Sequence, residues 1–126
     1  MLNLNNLVIL KGNLGNDVEL RHTRADVPVA NFSLATNEFY RDLDGKRQQR
    51  TEWHKITVWG TCAELCEKHL ELGQEVTILG KLQTRKWQDD KGIEHFFTEV
   101  HTVNVQFGRK PQDYDDDDNE VEYSDE

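Results

Sequence analysis

A small all-β barrel with a single helix is the fold class this sequence predicts, on three observations. Apolar and polar residues alternate through several segments of the first 107 positions. Clusters of Gly, Asn, Asp and Pro separate those segments. One stretch, 61–72, breaks the alternation and adopts helical spacing. The chain has 126 residues, 36% hydrophobic and 31% charged, which suits one domain with a modest core.

The segments follow in order. Residues 4–12 (LNNLVILKG) form a short apolar run stopped by the turn chemistry of 12–16. Val18 and Leu20 alternate with polar neighbours, and 23–28 is another turn. Over 28–37, Ala30, Phe32 and Leu34 share one strand face while Val29, Asn31 and Ser33 share the other. The polar stretch 42–50 contains Asp44-Gly45 and reads as an exposed hairpin loop. In 51–60 (TEWHKITVWG), Ile56 and Val58 pack inward with His54, which leaves Trp53, Lys55 and Trp59 on the opposite face. Ala63, Leu65, Cys66 and Leu70 give the helix its apolar positions, with Thr61 as N-cap and Gly73 as C-cap. Strand character returns from Val76 through Trp87, turns at 89–92, and runs out through 93–107. Five strand regions with a helix between the third and fourth match the element order of the OB-fold, a five-stranded Greek-key barrel.

The charge is unevenly placed. Net charge is −9, yet residues 1–110 hold all 15 Lys and Arg residues and 15 of the 24 acids, so that part is neutral. Residues 111–126 carry the other nine acids and no base. The division predicts an OB domain over 1–110 and a disordered acidic tail over 111–126. A global negative charge therefore does not argue against a polyanionic ligand on the domain.

Binding single-stranded nucleic acid with weak sequence preference needs aromatic platforms for bases and cations along the phosphates. The candidate platforms are Trp53, Trp59, Trp87 and Tyr40, with Phe39 beside it. The candidate phosphate contacts are Lys11, Arg21, Arg41, Lys46, Arg50, Lys55, Lys81, Arg85 and Lys86. Arg85-Lys86-Trp87 and Trp53-His54-Lys55 each set a cation within two residues of an aromatic. Proteins that bind single strands this way gain roughly 1–3 kcal/mol per stacked base, so three or four platforms suffice.

Other chemistries find less support. Cys62-x3-Cys66-x2-His69 has no fourth ligand nearby, so no metal site is expected, nor any cofactor. No phosphate-binding loop, nucleophile elbow or zinc-protease helix occurs, and an enzyme is not expected. Two cysteines four positions apart make no disulfide framework, and the first six residues lack the basic and apolar regions of a secretory leader. A cytoplasmic location and no membrane association are expected, since no run reaches the ~18 apolar residues of a spanning helix.

The same residues resemble the bacterial-type single-stranded DNA-binding proteins. The matching stretches are LVILKGNLG at 7–15, VANFSLAT at 29–36, RTEWH at 50–54 and GKLQTRKW at 80–87. The resemblance implies an OB-fold that assembles as a homotetramer and protects single-stranded DNA in replication, recombination and repair, nucleoid-associated or, for a short phage or mobile-element member, in the host cytoplasm. It matches Trp53, Trp59, Trp87 and Tyr40 to base-stacking positions and His54 to a residue near the subunit interface. Typical members end in an acidic tip closed by Pro-Phe that recruits replication and repair proteins. Here Asp115, Asp116, Asp117 and Asp118 keep the charge, while the chain ends Val-Glu-Tyr-Ser-Asp-Glu. The competing reading is an OB module that serves another replication protein or structured RNA, which preference for such a partner over oligo-dT would reveal.

Overall fold

The computed structural model describes residues 4–112. Its elements are β1 (Val8–Leu14), β2 (Glu19–His22), β3 (Pro28–Arg41), β4 (Arg47–Trp59), α1 (Thr61–His69), β5 (Glu75–Gln88) and β6 (Glu94–Phe107). The strand order is β1-β5-β6-β4-β3-β2, and an additional β1–β3 pairing joins the two ends of the five long strands into a closed barrel. β2 lies outside that closure, paired only along β3. Counting the barrel strands alone, α1 sits between the third and fourth, the order expected of an OB-fold.

Closure depends on inward alternation from each of the five barrel strands. Leu14, Ala30, Phe32, Leu34, Ile56, Val58, Val76, Ile78 and Val100 form the core, with Ala63 and Cys66 of α1 packed against them. β1 meets β3 at only two positions, Asn13↔Ala35 and Leu14↔Leu34, so both leucines are buried where the barrel shuts. The parallel contact between β4 and β6 is as short, Ile56↔Val100 and Thr57↔His101. Beyond it the two strands diverge, and each continues in its own antiparallel hairpin. β3 and β4 stay paired out to Arg41↔Arg47, and β5 and β6 out to Gln88↔Glu94.

Several boundaries differ from the sequence expectation. β1 extends through Asn13 and Leu14, which turn chemistry assigns to a loop, because Leu14 is core. The loop expected over 42–50 is a compact turn of residues 42–46. There the Asp42 carboxylate accepts hydrogen bonds from the backbone N–H groups of Asp44 and Lys46, and strand pairing resumes at Arg47. The Lys46 N–H first, and the Gln48 side-chain amide next, hold the Asp42 carboxyl below the usual carboxylate range. Thr61 is the first helical residue and not the cap. Gly60 occupies the N-cap with φ 74° and no side-chain capping bond, a backbone angle that favours glycine. The helix closes at Leu70 in extended conformation, so Gly73, at φ 87°, belongs to the following turn instead of capping α1.

Candidate nucleic-acid interface

Pairing registers decide which residues share a face. β4 alternates without a bulge against β3, so Trp53, Lys55, Thr57 and Trp59 point the same way, opposite Ala35, Ser33, Asn31 and Val29. Thr57 is level with His101 on β6, which brings His95, Phe97, Glu99 and His101 onto that face. Their partners on β5 are Trp87, Arg85, Gln83 and Lys81. Arg21, opposite Val29 on β2, borders the other side. Seven of the residues singled out in the sequence thus converge on one surface: Trp53, Trp59, Trp87, Arg21, Lys55, Lys81 and Arg85.

The rings on this surface are available. Trp53 is 63% exposed, Trp87 53% and Trp59 43%. Each is held differently. Trp53 lies over Gly15, where an added Cβ would come within 2.5 Å of the indole ring. Trp87 stacks on His95 with centroids 4.5 Å apart, and Trp59 on His101 at 6.1 Å. His95 is itself fixed by Asp89, 2.9 Å away. That contact first, and the backbone N–H of Ile93 next, hold the Asp89 carboxyl below its usual range. The turn that ends the β5–β6 hairpin therefore also seats one platform.

On this surface runs an open groove of about 320 Å³, lined among others by Arg21, Lys55, Arg85 and Phe97. The Lys55 ammonium lies 5.6 Å from the Phe97 ring centroid and the Arg85 guanidinium 5.3 Å from it. Arg85 also pairs with Glu99 at 3.3 Å. Thr57 and Glu99 are buried at the groove floor, where the Thr57 hydroxyl donates to Glu99 (2.9 Å) and accepts from Asn31 (3.0 Å).

The remaining candidates lie elsewhere. Tyr40 and Arg50 fall on the opposite face of the β3–β4 hairpin from Trp53, with the Arg50 guanidinium 5.1 Å from the Tyr40 ring. Phe39, on the Trp53 side, carries Arg47 over its ring at 4.5 Å. Arg41 and Lys46 sit at the tip of that hairpin, where Arg41 donates to the Gly45 carbonyl. Lys86 points away from Arg85 and Trp87 and pairs with Glu94 at 3.4 Å. Lys11, on β1, pairs with Glu75 at 3.7 Å. His54 is half-buried, its Nε2 2.9 Å from the Thr36 hydroxyl. Asp115, Asp116, Asp117 and Asp118 lie outside the described residues.

Phe97, Asn31, Thr57 and Glu99 were not legible as site residues. Alternation across 93–107 would have supplied Phe97 and Glu99, because they share the parity of His95 and His101. The cysteines give a different picture from their spacing. Cys66 faces the core, where burial first and neighbouring Cys62 next push its thiol up to about 12, while His69 is exposed. Among the described residues no three His, Cys, Asp or Glu side chains come together to hold a metal ion, and no helix is long and apolar enough to cross a membrane.

The sequence pattern of the single-strand binding protein family matches residues 5–108, which include every strand and the whole groove. The chain belongs to that family. Within the single-strand binding proteins, Single-stranded DNA-binding protein 1 of Chlorobaculum tepidum is 46% identical over 102 residues, covering 80% of this chain and 63% of that protein. This chain thus matches less than two thirds of that relative's length. A Plasmodium falciparum SSB, solved in complex with ssDNA, is similar in structure with a TM-score of 0.76 at 32% identity, covering 81% of this chain and 93% of that one. The family and that structure support the OB-fold expected from the order of strands and helix.

Proposed function

We propose that this chain is a non-enzymatic binder of single-stranded DNA with weak sequence preference, acting in replication, recombination and repair. The observation that carries the reading is the single surface on which three exposed tryptophans alternate with Arg21, Lys55, Lys81 and Arg85. Bases stack on Trp53, Trp59 and Trp87, because every base offers a π-face, and the cations between them neutralise phosphates. The β3–β4 hairpin extends the path, with Arg41, Lys46 and the Phe39–Arg47 pair at its far end. Tyr40 and Arg50 contact a strand that wraps round the hairpin edge. Lys11 and Lys86 join only if the strand displaces their carboxylate partners, Glu75 and Glu94. Family membership and the solved relative's complex with ssDNA support the same reading.

Domain boundaries at 1–110 and 111–126 belong to this proposal, as does a cytoplasmic location. So does assembly as a homotetramer. Supporting it, β1 pairs β3 only at Asn13 and Leu14, which leaves the other edge of 8–12 open in the described residues, and Ile9 there is 64% exposed. His54 serves the subunit interface in this reading. The acids at 115–118 attract basic partner proteins of the replication and repair machinery, supported by the concentration of negative charge after residue 110.

Salt dependence tests the proposal. Each phosphate contact on a single strand contributes about 0.7 to the slope of log affinity against log salt. Lys55→Ala and Arg85→Ala should each lower the slope for oligo-dT by about that amount. An unchanged slope in both variants would remove the phosphates from this groove.

A further inference from the structure

The groove has an anion at its floor. Glu99 is 6% exposed and lies between Lys55 and Arg85, on the surface proposed to receive a polyanion. A carboxylate there repels phosphate, and it pairs with an arginine that is 62% exposed. Its orientation is nevertheless fixed. Asn31 donates to the Thr57 hydroxyl, which directs the hydroxyl proton onto Glu99 Oε1 at 2.9 Å, and Arg85 donates to the same oxygen at 3.3 Å. No described residue donates to Oε2. Phe97 lines the same groove, and a base reaching its ring displaces the Lys55 and Arg85 head groups that lie over it toward the rim.

We infer that Glu99 reads the exocyclic amino group of a base seated in this groove against Phe97, and so favours cytosine over thymine at that one position. The inference rests on the single-strand binding proposed above and adds a chemical preference to it. Cytosine presents N4–H₂, a donor matched to the free oxygen, whereas thymine presents O4, a second acceptor facing a carboxylate. The flanking phosphates go to the rim cations. One such position among several stacking platforms tilts a weak preference without creating a sequence-specific protein.

The test compares equal-length oligonucleotides of dC, of dT, and of a dC analogue whose base is pyrimidin-2-one, which lacks the amino group. Mildly alkaline pH avoids protonated cytosine pairs. The unmodified protein should bind the pyrimidin-2-one strand about fivefold more weakly than dC, the effect of losing one directed hydrogen bond. In Glu99→Gln the amide oxygen should take the place of Oε1, which receives both donors, and turn its NH₂ toward the groove. The dC-to-dT affinity ratio should then fall about fivefold or more. If the unmodified protein binds the analogue as tightly as dC, the inference is overturned, whether or not the variant folds. Equal loss on all three strands in the variant would assign Glu99 to holding Arg85 and overturn it equally. Failure of every strand to bind the unmodified protein would sink the single-strand reading as well, whereas equal binding of all three would sink this inference alone.

Discussion

Trp53→Ala should weaken binding of oligo-dT by about 1–3 kcal/mol, the range found for aromatic platforms in single-strand binders of this kind, and leave the thermal midpoint nearly unchanged. The separation follows from where the ring sits. Trp53 is 63% exposed, outside the barrel core, and lies over Gly15. Unlike Trp59 and Trp87 it has no aromatic partner among the described residues, so a base can use the ring without displacing a histidine. Thermal melting and an oligo-dT titration of the same variant check both halves. Loss of folding in Trp53→Ala would make the ring a core element and remove it as a platform.

Leu34→Ala should have the opposite profile. Leu34 is fully buried and pairs with Leu14 where β1 meets β3, so its truncation leaves a cavity at the seam that closes the barrel. Leucine truncations in cores cost about 2–5 kcal/mol, a large share of the 5–15 kcal/mol typical of small domains. The free variant should melt at a markedly lower temperature. Saturating oligo-dT should restore part of the loss by mass action, because the folded form alone presents the site. Calorimetry with and without oligonucleotide measures both effects. A melting temperature within a degree or two of the parent would show that the seam does not hold the barrel together.

The fold was readable because nearly every barrel strand alternates, and the one helix breaks the alternation between Trp59 and Gln74. What the alternation could not show was the end of each element. Leu14 looks like part of a glycine-asparagine turn until its burial against β3 is known. Residues 47–50 look like loop because nothing apolar marks them, yet continuous pairing from Arg47 carries the strand through them. The platforms were legible for the same reason as the fold. Trp53, Lys55 and Trp59 alternate with Ile56 and Val58, so one parity must be outward. Tyr40 and Lys86 share the local composition of the site and not its parity, and composition alone cannot separate them from Phe39 and Arg85. The hydrogen-bonded set of Asn31, Thr57 and Glu99 needs three strands in register, and no single segment of sequence contains that information.

The most direct measurement is tryptophan fluorescence during titration with oligo-dT and with duplex DNA, each at two salt concentrations. Strong quenching by oligo-dT alone, weakening as salt rises, is the result predicted for indoles stacked on bases with cations on the phosphates. Absent quenching, or equal quenching by duplex, would contradict an interface built on Trp53, Trp59 and Trp87.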